Sequence, residues 1–172
     1  MAITSTNSLT NDINISITET DGNTTKTEID SLGYSVSLTQ GTGTGQVNGQ
    51  AKITGNIASG DTLQVDFEAI TKNQFGAPYT LNFSEIKAFV FYNEGTGIND
   101  SINVLATGSN ALTGIFNGTT GNIVIKPYGT YSYFDYYGDL ESASNHRYLY
   151  FVNNSPESGG LDYSYVVIGV TG

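Results

Sequence analysis

The sequence lacks several of the residue types on which protein chemistry most often depends. Among its 172 residues there is no cysteine and no tryptophan, and His146 is the single histidine. Without cysteine the chain can form neither a disulfide nor a thiolate site, and one imidazole leaves little for a zinc site. A chain of this length can nevertheless bury roughly 68–70% of its unfolded surface, so it needs no cross-links to keep a core.

Positive charge is scarce too. Six lysine and arginine residues stand against sixteen aspartate and glutamate residues, which gives a formal net charge of −10. Phosphate backbones are bound by clustered lysine and arginine, whereas the cations here are scattered along the chain: Lys26, Lys52, Lys72, Lys87, Lys126 and Arg147. We therefore expect no nucleic-acid partner, and we interpret the negative charge as keeping the protein soluble.

Long apolar runs are also missing. No stretch approaches the ~20 residues that a membrane-spanning helix needs. The opening MAITSTNSLTND has neither the charged region nor the apolar region of a secretory signal. The sequence thus predicts a chain with no membrane partner and no secretion signal.

What the sequence does contain is typical of β-structure. It is rich in glycine, threonine, serine, asparagine, valine, isoleucine and tyrosine, and it shows no amphipathic helical stripe. Runs of strand type, separated by glycine-rich turns, occupy residues 13–17, 34–38, 50–54, 62–70, 83–92, 102–106, 122–125, 130–136, 147–152 and 163–170. Many short strands with such turns predict an all-β fold, here a jelly-roll-like antiparallel β-sandwich formed by residues 32–172 as a single domain.

Residues 1–31 differ from the rest of the chain. They are mostly threonine, serine, asparagine, aspartate and glutamate, and Ile13, Ile15 and Ile17 are their alternating apolar set. Such a segment buries little by itself. It is either a peripheral strand of the domain or a polar N-terminal arm that becomes ordered against another chain, adding a strand to its sheet. The three isoleucines are therefore candidate partner-contact residues.

No pattern for catalysis emerges. A Ser-His-acid arrangement would have to use His146, and the sequence has no Gly-x-Ser-x-Gly elbow. Asp66 and Glu68 are a candidate carboxylate pair for glycoside hydrolysis, but they alternate with Val65 and Phe67, which is typical of solvated charges on the polar face of a strand. We predict that the protein is not an enzyme and has no catalytic residues.

Two loops are candidates for calcium binding, at residues 93–100 and 21–23, because both offer carboxylate and carbonyl oxygens. Neither has the spaced acids of an EF-hand loop. Hairpin loops that need residues tolerant of positive φ explain them more simply. We therefore predict no metal and no cofactor, and a calcium-stabilised adhesin-like module stays a third alternative for the function.

An ordered series of segments resembles a known family. The series is QGTGTGQV, FSEIKA with the apolar run to Asn93, GIFNG, IVIKPYG, the run from Arg147 ending in NNS, and YSYVVIG. Over residues 38–169 this order is similar to a family of small β-rich virion structural proteins of tailed bacteriophages. Some members of comparable size are capsid cement, or decoration, proteins with jelly-roll folds.

The resemblance implies a non-enzymatic structural protein on the capsid exterior of a virion, made in the host cytoplasm. It implies a homotrimer that clamps neighbouring major capsid proteins, so the expected partners are the chain itself and the major capsid protein. The chain departs from the family at Tyr128, where glycine is more common. The alternative is a carbohydrate-binding β-sandwich module of a tail fibre or cell-surface protein.

The segment YGTYSYFDYYGD concentrates six of the chain's twenty tyrosine and phenylalanine residues. If it is a strand, alternation puts Tyr131 and Tyr133 on one face and Phe134 on the other, so both faces carry rings. Core packing, a subunit or capsid contact, and carbohydrate stacking all use such rings. The candidate partner-contact residues of this segment are Tyr128, Tyr131, Tyr133, Tyr136 and Tyr137.

Overall fold

The computed structural model describes residues 7–21, 24–74, 77–107, 110–112, 122–135, 140, 142, 146–156 and 159–172. Within these residues every regular element is a β-strand, and no helix is long and apolar enough to cross a membrane. The strands are β1 (Asn7–Asp21), β2 (Thr24–Gln40), β3 (Gln46–Val47), β4 (Gly49–Ile57), β5 (Thr62–Asp66), β6 (Ile70–Gln74), β7 (Ala77–Leu81), β8 (Phe83–Asn93), β9 (Ile102–Leu105), β10 (Asn122–Ile125), β11 (Thr130–Phe134), β12 (Tyr148–Asn153) and β13 (Leu161–Thr171). The predicted all-β, antiparallel fold is confirmed.

The chain forms two compact units, Met1–Gln40 and Gly41–Gly172. The first contains a long β-hairpin, here called the ribbon, in which β1 and β2 pair antiparallel from Asn7↔Leu38 to Asp21↔Thr24. The composition predicts an N-terminal segment that ends at residue 31, whereas β2 continues without interruption to residue 40. Threonine-rich segments form strands readily even without apolar alternation, so the ribbon is longer than the predicted run 13–17.

The second unit contains two four-stranded antiparallel sheets. The front sheet has the strand order β11-β8-β13-β4, and the back sheet has the order β10-β9-β12-β5. A separate hairpin, β6–β7, follows β5. The predicted strand 62–70 is therefore interrupted, because the chain turns after β5 and the Ala69 amide donates to the Asp66 carbonyl.

The two sheets enclose one aromatic core. Phe89 and Phe91 of β8 and Phe151 of β12 are fully buried. The rings of Phe91 and Phe151, from opposite sheets, stack with centroids 3.9 Å apart and planes inclined by 8°. The centroid of the Phe91 ring also lies 5.4 Å from that of the Tyr163 ring, with the planes inclined by 12°. Interlocked rings of this kind hold a sandwich together.

A β-bulge places a charge inside the front sheet. Ala88 pairs with Ile168 but Ile86 pairs with Gly169, so β8 has one extra residue, Lys87, at this point. Lys87 is fully buried, and its Nζ lies 2.8 Å from a carboxylate oxygen of Glu85. A buried charge is tolerated only when it is paired, which explains how a strand that is otherwise apolar accommodates a lysine.

Candidate contact surfaces

The tyrosine-rich segment forms β11, an edge strand of the front sheet. Tyr131 pairs with Phe91 and Tyr133 pairs with Phe89. Directly opposite residues of paired strands share a face, so both tyrosines lie on the inward face, where they pack against the core as partly buried rings. Their placement agrees with the core-packing alternative.

The hydroxyl groups of these tyrosines lie near the rim of the core. Burial raises the pKa of Tyr131 to about 12. The Tyr133 hydroxyl donates to a carboxylate oxygen of Asp135 at 3.3 Å, and the Leu140 amide donates to the same oxygen. On the outward face of β11, Thr130 and Ser132 are exposed and Phe134 is partly buried.

Tyr128 behaves differently from the other tyrosines. It lies in the turn between β10 and β11, its side chain is 61% exposed, and its backbone has φ 57°. Left-handed backbone costs a non-glycine residue about 1–2 kcal/mol. The turn is closed by the Gly129 amide, which donates to the Lys126 carbonyl at 2.8 Å. Tyr128 is thus an exposed ring presented on strained backbone.

The remaining candidate contact residues lie in other parts of the chain. Tyr136 and Tyr137 lie outside the described residues. Ile13, Ile15 and Ile17 all lie in β1, at alternate positions, and are paired with Leu32, Asp30 and Glu28 of β2 respectively. The ribbon and the edge strand belong to different units, so three features are described separately: the ribbon, the inward tyrosines and Tyr128.

Two buried asparagines organise one end of the sandwich, here called the loop end. Asn93 ends β8 and Asn153 ends β12, and both are fully buried. The Asn93 side-chain oxygen accepts from the Gly95 amide, and the Asn153 oxygen accepts from the Ser155 amide. Each side-chain nitrogen donates to backbone carbonyls of neighbouring segments, Asn93 to Asp100 and Ile125 and Asn153 to Ile57.

Asp100 joins the two asparagine motifs. One carboxylate oxygen accepts from the Ser155 hydroxyl at 2.7 Å and the other accepts from the Gly97 amide at 2.6 Å. These hydrogen bonds, that of Ser155 first, lower the pKa of Asp100 below its ordinary value because they stabilise the charged form. Sequence reasoning missed this network, although an asparagine ending an apolar strand with a small residue two positions later occurs twice, at Asn93 and Asn153.

A polar pocket of about 250 Å³ opens beside this network. Loop residues on both of its sides form its walls: Glu94, Gly95, Thr96, Gly97, Asp100, Gly159, Gly160, Leu161 and Asp162. It includes most of the loop at residues 93–100 that was considered for calcium. Within the described part of the chain, no group of three or more histidine, cysteine, aspartate or glutamate residues is arranged to hold a metal ion. Of the other calcium candidate, residues 21–23, only Asp21 is described.

The residues considered for catalysis have structural partners instead. Arg147 lies between Asp66, at 3.0 Å, and Glu68, at 2.7 Å, and its guanidinium stacks over the Tyr148 ring. Asp66 and Glu68 are therefore ion-paired, whereas their alternation with apolar residues predicts solvated charges. His146 is exposed.

Comparison of the chain with models of known protein families, with curated proteins and with solved structures gave no match. The class that the geometry itself defines is an all-β antiparallel sandwich preceded in the chain by a long antiparallel β-hairpin.

Proposed function

We propose that the protein is a non-enzymatic structural component of a tailed-phage particle. In the most specific form of this proposal it is a capsid cement protein that clamps neighbouring major capsid proteins. The observation that carries the proposal is the ribbon, because a long and mostly polar segment buries little apolar surface by itself. A segment of this kind, from Asn7 to Gln40, suits a protein whose neighbours in an assembly stabilise it.

We also infer that the eight sandwich strands form a jelly roll. Successive strands along the chain lie in alternate sheets, counting β4, β5 and β8 to β13. The exception is the hairpin β9–β10, whose two strands are both in the back sheet. The first strand, β4, pairs with the last, β13, and the second, β5, pairs with the next to last, β12. Nested pairing of this kind is expected of a double Greek key, which recurs in viral capsid and lectin domains.

The partners proposed are a second and third copy of this chain and the major capsid protein. The resemblance over residues 38–169 to virion structural proteins supports them, and a homo-oligomer with closed symmetry is the usual form of such parts. The surface that meets the capsid protein would include Tyr128, whose ring is exposed.

The test is binding to particles. Purified protein is mixed with phage capsids that lack it, and the capsids are pelleted and assayed for saturable, stoichiometric binding. The control uses capsids that already carry their full complement of the protein. Saturable binding to the deficient capsids alone supports the cement role, and protein left in the supernatant with both would rule it out.

A second candidate is the carbohydrate-binding module. It is favoured by the exposed ring of Tyr128 at the sandwich end that also holds the 250 Å³ pocket, since sugars stack on exposed aromatic faces. Glycan-array binding that is lost in Tyr128→Ala, while Tyr79→Ala on the β6–β7 hairpin has no effect, would favour it. Tyr79 is a matched control because its ring is 51% exposed.

A further inference from the structure

Four loops meet at the loop end of the sandwich, and their charge is mostly negative. These loops are residues 58–61, 94–101, 126–129 and 154–160. Their described residues, together with Asp162 near the start of β13, hold four carboxylates: Asp61, Glu94, Asp100 and Asp162. Among the same described residues Lys126 is the one cation. The loop end therefore attracts positively charged groups.

Three of these carboxylates line the polar pocket. Glu94, Asp100 and Asp162 lie in its walls, together with the backbone of several glycines. Among the described side chains, the ion pairs are made by Lys87 and Arg147, and neither of these cations lines the pocket. The pocket therefore presents negative charge that no described cation neutralises.

Asp100 is the member of this set that gains most from a positive neighbour. It is only 5% exposed, and its two carboxylate oxygens accept from neutral donors, the Ser155 hydroxyl and the Gly97 amide. Burial of a carboxylate is costly unless the charge is paired, and neutral donors supply hydrogen bonds without an opposite charge. A cation inside the pocket would supply that charge.

The arrangement and size of the pocket indicate which kind of cation it suits. In the described part of the chain no three acidic or histidine residues are arranged to hold a metal ion, so the pocket carboxylates are not gathered around one point. The volume of about 250 Å³ is smaller than the about 300–1,000 Å³ typical of small-molecule pockets. Both features suit a single long side chain. Arginine suits it best, because its planar guanidinium can donate to more than one carboxylate at once.

Exposed apolar side chains lie beside the pocket. Ile98 belongs to the loop that forms one wall, and its side chain is 89% exposed. Tyr128, also exposed, lies in a turn that is tied to the start of the same loop, because the Asn93 amide donates to the Gly129 carbonyl at 3.0 Å. Apolar and aromatic anchors next to polar groups are typical of contacts between proteins.

We infer that the loop end is a docking site for an arginine of a partner protein, carried on a segment whose neighbouring residues are apolar. The arginine side chain enters the pocket, and the apolar residues beside it contact Ile98 and Tyr128. The inference deepens the proposed function and rests on it in taking the major capsid protein as the partner. Opposite charges across such a contact speed encounter and fix its register, while buried anchors such as tyrosine and arginine carry most of the binding energy.

The test uses two peptides with capped ends, Leu-Arg-Leu and Leu-citrulline-Leu, which differ in the charge of the middle side chain. Each is titrated into the full chain while backbone amide NMR shifts are followed. The arginine peptide should shift the amides of Gly95, Gly97 and Gly160 to saturation, and the citrulline peptide should bind about tenfold more weakly or worse. Equal binding of the two peptides, or no shift at these amides, would overturn the inference. Saturation by calcium chloride alone would overturn it in favour of a metal site.

Matched variants locate the site. Asp162→Asn keeps an oxygen that accepts from the Asn56 side chain but removes the charge, and should weaken binding of the arginine peptide about fivefold. Asp61→Asn removes an equal charge at the loop end outside the pocket and should change binding less than about twofold. Equal weakening by both variants would show general attraction rather than a pocket, and would overturn the inference. Ile98→Ser should weaken both peptides alike, and unchanged binding would refute the apolar contact.

Capsid pelleting separates this inference from the proposed function. A protein that binds the arginine peptide in the pocket but ignores capsids would refute the cement role alone. A protein that binds neither peptide, and that binds capsids equally well with and without Asp162→Asn, would refute the inference alone.

Discussion

The ribbon and the sandwich are built from the same kind of sequence but reach stability differently. The sandwich covers the apolar faces of its two sheets with one another, and the stack of Phe91 on Phe151 joins them at 3.9 Å. The ribbon is a pair of long antiparallel strands, and β1 is the edge of its sheet. Alternation of apolar and polar residues is enough to form a strand, whereas a stable domain also needs a second layer packed against the sheet.

The largest effect is expected where the two layers of the sandwich meet. Phe91→Ala removes a fully buried ring that contacts Phe151 and Tyr163, and should lower the free energy of unfolding by about 3–5 kcal/mol. Urea unfolding measures this change, with Thr130→Ala on the exposed face of β11 as the control. A loss below about 1 kcal/mol would show that the stack is not what holds the sandwich.

An intermediate effect is expected at the loop end. Asn93→Ala leaves the Gly95 amide and the carbonyls of Asp100 and Ile125 without their partner, which should cost about 1–3 kcal/mol. The exposed Asn122→Ala is the matched control. Equal unfolding midpoints for the two variants would mean that the asparagine network does not stabilise the sandwich.

A small gain in stability is expected at Tyr128. Glycine accepts the left-handed backbone at φ 57°, so Tyr128→Gly should stabilise the sandwich by up to about 1 kcal/mol, partly offset by the greater freedom of glycine in the unfolded chain. Tyr128→Ala keeps the strain and should leave stability nearly unchanged. A gain in stability accompanied by lost capsid binding would identify Tyr128 as a contact residue, and unchanged binding would remove it as a candidate.

The smallest effect concerns pH. The pKa of Asp100 in the folded protein lies below its ordinary value of 3.8, so its stabilising contribution is fully present above that value and is lost as pH falls through the lowered pKa. Asp100→Asn should therefore be less stable than wild type near neutral pH, and the difference should shrink in acid. Thermal melts of both proteins from neutral to acidic pH measure this. A difference in melting temperature that stayed constant with pH would contradict the stabilising role of the Asp100 carboxylate.

Part of this structure could be predicted from the sequence, and the rest depends on contacts between distant segments. The alternation around Val65 and the apolar run through Phe89 predicted sandwich strands. The inward placement of Tyr131 could not be read from alternation, because it depends on the register with Phe91. The hydrogen bond between Asp100 and Ser155 joins residues 55 positions apart, so no local pattern contains it.

The ribbon, too, could be predicted only in part from the sequence. Ile13, Ile15 and Ile17 were recognisable by their spacing, but the residues around Asp30 show no alternation, and the second strand was predicted only from residue 34. The register of β1 with β2 brings Leu32 opposite Ile13 and Val36 opposite Leu9, and no local pattern shows which residues of two strands face one another.

The central proposal is that the sandwich is stable alone and that the ribbon is stabilised by association with a neighbour. Hydrogen exchange of the full chain, followed over a roughly hundredfold range of protein concentration, tests it most directly. We predict that amides of β8 and β13 are protected equally at every concentration, while protection of β1 and β2 rises as the protein becomes more concentrated. Ribbon amides protected to the same extent at all concentrations would contradict the account.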